Sequence, residues 1–444
     1  MASEWVVRRL GDLVEVYDGP HATPEKTTAG PIFLGISNLV GGRLDLSEAE
    51  HLSEEDFVRW TRRVTPQAGD VVFSYETRLG EAALIQQGLR CCLGRRMGIL
   101  RPRNDLVDSR FLLYAYLGTE FQETLRARTI HGSTVDRIPL IDMPDFPIRV
   151  PSMDVQVAIA NILGALDDKI ELNRRMSETL ESMARALFKS WFMDFDPVHA
   201  KVDRRDTGLP KRIADLFPAA FEDSEMGKVP KGWRIHTVGD ICSRIAMGPF
   251  GSNIKTDNFV PEGVPVVRGV NLTEGFVDDD FVYLSEAKAD ELKNANAFPG
   301  DIVITHRGTL GQVGLIPRRP RFSRYVVSQS QMVLTVDPAR TPPEFAFRFL
   351  CSQKGQHQLL ANTSQTGVPA IARPTSSVKA IPIVLPPVEL LQYFDGVVGH
   401  LSERRYLAWK ESRTLISLRD QLLPKLISGE LRLPAADRIA GRRV

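Results

Sequence analysis

Three spacings in this chain could carry catalysis, and each leads away from it. Glu286-Ala287-Lys288 and Glu291-Leu292-Lys293 have the Glu-x-Lys form of nuclease sites. Both fall in a polar helical stretch, where such pairs are ordinarily solvated surface. Gly308, Gly311 and Gly314 could cradle a phosphate if they opened a helix, but they lead into Leu315-Ile316-Pro317. Methylation of adenine calls for an Asn-Pro-Pro-aromatic or Asp-Pro-Pro-aromatic segment to hold the flipped base. Here Asp337-Pro338 is followed by Ala339, and Pro342-Pro343 is preceded by Thr341. The eight histidines are scattered along the chain, and nothing builds a zinc site or a Ser–His pair.

The elements that hold these residues are written twice. Trp5-x5-Gly11-Asp12 returns as Trp233-x5-Gly239-Asp240. Gly69-Asp70-Val71-Val72 with Leu79-Gly80 returns as Gly300-Asp301-Ile302-Val303 with Leu310-Gly311. Pro147-Ile148 and Pro151 return as Pro382-Ile383 and Pro386. The shift of 228–235 residues is far beyond the roughly 20–50 residues of solenoid or propeller repeats. It marks a duplicated unit of domain plus helix.

The first copy, residues 1–150, alternates short β-rich runs with turns, such as Pro31–Leu34 and Val71–Phe73, and includes a helical stretch near Ser109–Leu117. After Pro151 the pattern turns helical. Ile159, Leu163, Leu166, Ile170, Met176, Leu180, Met183, Leu187 and Trp191 step by three or four, with Asn173 in the seam. The matching stripe is Phe394, Val397, Leu401, Ala408, Leu415, Leu418 and Leu422. A first helix over 154–192 would span about 58 Å. The expected architecture is α/β (α+β): two similar globular domains joined by two long helices in an antiparallel coiled coil with pseudo-two-fold symmetry. The expected divisions are 1–150 for the first domain, 151–195 for its helix and 196–232 for a linker. The second domain takes 233–385, its helix 386–431 and a tail 432–444.

At 444 residues, 43% hydrophobic and 25% charged, the chain has the composition of a folded soluble protein. A net charge of +1 excludes a polycation that coats nucleic acid indiscriminately, while leaving room for a local basic face. No apolar run reaches the roughly 18 residues of a membrane span, and Met-Ala-Ser-Glu-Trp lacks the regions of a signal peptide. Cys91, Cys92, Cys242 and Cys351 fit reduced thiols. The expected compartment is the cytoplasm, with no membrane partner.

These motifs resemble the specificity (S) subunit of type I restriction–modification enzymes, along essentially the whole chain. Gly300-Asp301 through Gly308-Thr309-Leu310-Gly311 is similar to the Gly-Asp…Gly-Thr-x-Gly segment of that family's target recognition domains. Met247–Lys255 is similar to their glycine-rich loop, with Asp18–Pro24 in its place in the first domain. Trp191-Phe192-x-Asp194-Phe195-Asp196-Pro197 resembles the central linker, and Leu422–Leu431 the C-terminal helix end. Gln156 lies five residues after Pro151, whereas Gln392 lies six after Pro386, a departure that bears on the second helix's register.

The resemblance implies a non-catalytic subunit that reads a bipartite, asymmetric site on double-stranded DNA in phage defence. Two methyltransferase (M) subunits and two restriction/translocase (R) subunits would be its partners. S-adenosylmethionine, ATP and magnesium would sit on those partners, with no cofactor in this chain. Two other readings stay open: an autonomous DNA-modifying enzyme, such as a divergent methyltransferase, and a DNA-binding scaffold of another phage-defence system.

Identical positions in the two copies are expected to be frame, and differing ones to be readers. Three loops per domain qualify. The first pairs His21, Thr23 and Lys26 with Phe250, Ser252, Asn253 and Lys255. The second pairs Tyr75, Thr77 and Arg78 with His306, Arg307 and Thr309. The third, before a Met-led strand, matches Arg95 and Arg96 to Ser330 and Gln331. Arginine can bond guanine through two atoms, and Asn or Gln can do so with adenine. Lys26 and Lys255 suit phosphates. For any single one of these side chains, ordinary turn polarity is the competing explanation.

Overall fold

The computed structural model describes residues 5–20, 23–132, 135–249, 251–273, 275–364 and 367–432. The chain divides into two compact units, residues 1–172 with 411–444, and residues 173–410.

The first unit is built on a four-stranded antiparallel sheet. Its strands are β1 (Val14–Asp18), β2 (Val71–Ser74), β3 (Ala82–Leu84) and β4 (Met97–Pro102), in the order β1-β4-β2-β3. Val71, Val72, Phe73 and Ser74 are buried on both faces, which is why this segment reads as a continuous apolar run. A second sheet pairs Thr27–Leu34 antiparallel with Glu50–His51 and parallel with Cys91–Leu93. The helix Ser109–Leu117 covers the first sheet; Asp108 caps it by accepting the Phe111 N–H at 2.9 Å. Six of its nine residues are buried, so packing rather than amphipathic patterning holds it.

The second unit repeats this plan. Its strands β5 (Cys242–Met247), β6 (Ile302–Thr305), β7 (Val313–Leu315) and β8 (Gln331–Val336) pair in the order β5-β8-β6-β7. The accompanying sheet is larger, with five strands, and again contains one parallel pair, Val264–Val267 with Tyr325–Val327. The helix Pro343–Cys351 corresponds to Ser109–Leu117.

Two long helices, α1 (Met153–Phe188) and α2 (Val388–Ile427), supply the helical part of both units. Within the first unit, Arg419 meets Asp167 at 3.0 Å and Lys169 meets Glu411 at 3.2 Å. Within the second, Arg405 meets Glu181 at 3.1 Å and Phe394 packs on Phe188 at 5.9 Å between ring centroids. The partner number falls on α2 as it rises on α1, so each unit holds an antiparallel helix pair. Asn173 is buried in the seam as its spacing requires. The stripe needs two corrections. Met183 is 49% exposed and Leu418 44% exposed, while Ala184 and Phe188 are buried with Leu180. An α-helix drifts against a strict heptad, so the inner face steps to the next turn. The mismatch between Gln156 and Gln392 is also resolved. Gln156 is buried, accepting the Asp108 N–H at 3.0 Å and donating to Pro151 O at 3.0 Å. Gln392 is exposed, so the two are not counterparts.

Residues 196–232 are more ordered than a linker composition suggests. They form helices Asp196–Val202 and Lys211–Ala214 and a hairpin of Phe221–Ser224 with Gly227–Pro230. Val198, Ile213 and Phe217 join Trp191, Phe192 and Trp233 in the second unit's core, and Trp191 packs edge-on to Phe217 at 5.5 Å. Aromatic burial fastens a segment that its prolines would otherwise leave open.

Candidate nucleic-acid interface

Both domains hold their loops in one frame. Gly69 and Gly300 sit at φ +93° and +88°, Gly80 and Gly311 at +84° and +86°, backbone that glycine adopts without penalty. Asp70 accepts the Gln67 N–H at 2.8 Å, and Asp301 accepts the Phe298 N–H at 2.9 Å. Each buried carboxylate meets an arginine: Arg101 on β4 at 2.8 and 2.9 Å for Asp70, Arg244 on β5 at 3.0 Å for Asp301. The Gln122 amide donates to the carbonyls of Gly80 and Tyr116, and the Gln356 amide to those of Gly311 and Leu350. Sequence comparison had passed over these arginines and glutamines. The glutamines are detectable afterwards as a pair shifted by 234 residues.

Backbone hydrogen bonds fix which loop residues correspond. Gly19 donates to Met97 O and Tyr75 to Arg96 O; Gly248 donates to Gln331 O and His306 to Ser330 O. Arg96 therefore corresponds to Ser330 and Met97 to Gln331, one residue away from the alignment expected from the Met-led strands. Aligning Met97 with Met332 misleads because the pleat, not residue identity, sets the register. In the second loop Glu76 stands where Arg307 stands, and Thr77 where Gly308 stands. Thr77 and Gly308 share positive φ, +68° and +97°.

Several expected readers face inward. The Tyr75 ring is buried and its hydroxyl donates to Asp18 at 2.9 Å; burial, reinforced by Asp18, raises its pKa. Gln331 is 1% exposed, donating to Thr305 at 3.3 Å and accepting from Ser328. His306 is buried with Nε2 unpartnered, and burial holds its pKa below the usual imidazole value. Ser330 is half-buried.

Others face outward. Thr23, Lys26, Thr77, Arg78, Arg95, Arg96, Asn253, Lys255, Arg307 and Thr309 are exposed. Lys26 pairs with Glu50, Arg78 with Glu81 at 3.0 Å, and Arg96 with Glu76 at 2.8 Å. Among the described residues Arg95, Lys255 and Arg307 have no carboxylate partner, so their charge is available to an anion. Ser252 lies in the turn Gly251–Asn253. His21 and Phe250 lie outside the described residues.

A hairpin stem adjoins the second loop in each domain. Ile130 and Arg137 exchange backbone hydrogen bonds at 2.9 and 3.1 Å, and the Ile138 N–H donates to Tyr75 O at 2.9 Å. In the second domain Thr363–Ser364 pairs with Ala370–Ile371, and the Ile371 N–H donates to His306 O at 2.9 Å. One hairpin stem thus docks on equivalent loop residues in both copies.

In each domain the loops carry exposed hydrogen-bonding groups and, among the described residues, cations without carboxylate partners, an arrangement suited to binding a polyanion. Glu286 and Lys288, the nuclease-like pair, are engaged in surface ion pairs with Arg324 and Glu291. Among the described residues no three His, Cys, Asp or Glu side chains are grouped to hold a metal ion, and no helix is long and apolar enough to cross a membrane.

Residues 2–182 match the type I restriction modification DNA specificity domain. Along its length the chain is similar to type I specificity subunits. It is 24% identical over 374 residues to the type I restriction enzyme HindI specificity subunit of Haemophilus influenzae, covering 75% of this chain and 80% of that one. It is 24% identical over 449 residues to the MjaIX specificity subunit of Methanocaldococcus jannaschii, covering 97% and 94%. The crystal structure of a type I S subunit from M. genitalium shares the fold, with TM-score 0.61 at 17% identity over 96% of each chain. The matched domain is a DNA specificity domain, and these relatives are named as specificity subunits.

Proposed function

We propose that this chain reads a bipartite, asymmetric double-stranded DNA site, with one half-site per domain and α1 and α2 setting the spacer. The observation that carries this reading is the paired frame with unlike loops. Gly69, Asp70 and Gly80 recur as Gly300, Asp301 and Gly311, whereas Tyr75, Glu76, Arg78 and Arg96 are replaced by His306, Arg307, Thr309 and Ser330. A frame that is kept while its hydrogen-bonding groups change suits two different half-site sequences. Arg95, Lys255 and Arg307 supply phosphate or guanine contacts, Asn253 an adenine contact, and Thr23, Thr77 and Thr309 hydroxyls. Tyr75, His306 and Gln331 shape the loops from beneath.

In this reading the chain scaffolds two adenine-N6 methyltransferase subunits and two ATP-dependent translocase/nuclease subunits in the cytoplasm. S-adenosylmethionine, ATP and magnesium are bound by those partners. The decisive experiment co-expresses the chain with its methyltransferase and maps methylated adenines across a genome. Exchanging residues 233–385 for another recognition domain should then alter one half-site and leave the other intact. Alteration of both half-sites, or methylation of DNA by the purified chain alone, would refute the proposal.

A further inference from the structure

The hairpin stems beside the second loop combine two properties that rarely meet on a bare surface. Ile130 is 45% exposed and Val368 55% exposed, large aliphatic side chains with no cover. Arg137 and Arg373 are exposed too, and among the described residues neither has a carboxylate partner. The stems are also continuous with the recognition loops. Glu76 bridges to Arg137, Arg307 bridges to Ala370, and the Gly308 N–H donates to Pro369 O at 2.8 Å. Whatever lies across Arg78 or Arg307 therefore lies within reach of these stems.

We infer that the stems are a fourth DNA-contacting element in each domain, Ile130 and Val368 meeting thymine methyl groups while Arg137 and Arg373 hold phosphates. The inference rests on the DNA-reading function proposed above. A methyl group in the major groove is an apolar mark on an otherwise polar edge, and aliphatic side chains are suited to it. The neighbouring cations fix the stem against the backbone without reading sequence. A protein partner would also cover an aliphatic side chain, but it would not by itself call for arginines without carboxylate partners on or just beyond the same stems, as Arg137 and Arg373 are among the described residues. Ile130 lies on the outgoing strand, paired with Arg137, whereas Val368 lies just before the returning strand Ala370–Ile371. The two stems would thus place their apolar contact at different points of their half-sites.

The test uses the full chain in complex with its methyltransferase and a duplex bearing the mapped site. Arg137→Ala should weaken binding about tenfold near physiological salt and lower the salt-dependence slope by about one; Arg137→Lys should restore most of the affinity. Ile130→Ala should relax a thymine preference in the first domain's half-site only, and Val368→Ala in the second's only. If all these variants bind and methylate like the unmodified complex while Arg307→Ala weakens binding, the stems are not contacts and the DNA-reading function stands. If the unmodified complex shows no sequence preference, the function itself falls. Loss of methyltransferase from the complex on Ile130→Ala or Val368→Ala, with DNA affinity kept, would overturn the inference in favour of a protein-docking stem.

Discussion

Arg244 reaches the buried carboxylate of Asp301 from the edge strand β5, at 3.0 Å. In the first domain the equivalent aspartate, Asp70, is reached by Arg101 from the neighbouring strand β4. Sheet register makes the exchange explicit: Glu15 pairs with Arg101, and Arg244 pairs with Thr335. The arginine has moved across the ladder while the ion pair has stayed in place. A similar exchange marks the loops, where Glu76 with Arg96 in one domain is Arg307 with Ser330 in the other. In the frame the pair survives the move; in the loops it dissolves and leaves Arg307 without a carboxylate partner among the described residues.

Arg244→Glu should therefore destabilise the second unit by about 3 kcal/mol, since removing one partner strands a buried charge. Adding Thr335→Arg copies the first domain's arrangement and should recover most of the loss. Urea unfolding of the single and double variants measures this; equal stability of the two would show that the strand exchange is incidental.

Gly80→Ala and Gly311→Ala should each cost about 2 kcal/mol. Both residues adopt positive φ, which costs an L-residue roughly 1–2 kcal/mol. An added Cβ would also lie 2.2 Å from Gln122 Oε1 at Gly80, and 2.8 Å from Gln356 Oε1 at Gly311. The first substitution should be the worse in thermal unfolding.

Thr77 holds φ +68°, and its hydroxyl accepts from Arg96, itself at +70°. A β-branched residue there is strained. Thr77→Gly should stabilise the first domain by about 1 kcal/mol, because Gly308 shows that the loop accepts glycine. If Thr77 contacts DNA, the more stable variant will bind its half-site more weakly, which a paired measurement of melting temperature and affinity will show.

His306 is buried, so its imidazolium is disfavoured and its folded pKa lies below the ordinary 6.5. The unfolded chain takes up a proton first as pH falls. The contribution of His306 to stability is thus complete above pH 6.5 and is lost as pH drops through the lowered folded value. His306→Phe should flatten the second unit's denaturation midpoint over that window; an unchanged slope would place the titration elsewhere.

Arg307→Ala should weaken DNA binding by the complex and reduce the salt-dependence slope by about one, as expected for one phosphate contact. Arg78→Ala should do less, because Arg78 is already paired with Glu81. Fluorescence anisotropy at several salt concentrations ranks the two.

Much of the architecture was legible in residue order. Glycine leaves a readable trace wherever the backbone turns left-handed, so Gly69/Gly300 and Gly80/Gly311 announced both the duplication and its turns. Sustained three-and-four spacing announced α1 and α2. Loop chemistry was legible as residue type, since Arg, Asn, Gln and Thr between strands name possible donors and acceptors.

What the tertiary structure alone decided was direction and pairing. Tyr75, Gln331 and His306 have reader chemistry but lie beneath the loops, because burial depends on which neighbours the fold brings over them. Arg101 and Arg244 could not be matched by alignment, since an ion pair is conserved in space and not along the chain. The stems beside Ile130 and Val368 had no periodic signal, being held by a few backbone hydrogen bonds to the second loop. Local order determined the frame through backbone geometry, which each residue carries with it. Side-chain environment is a non-local quantity, and it came only with the fold.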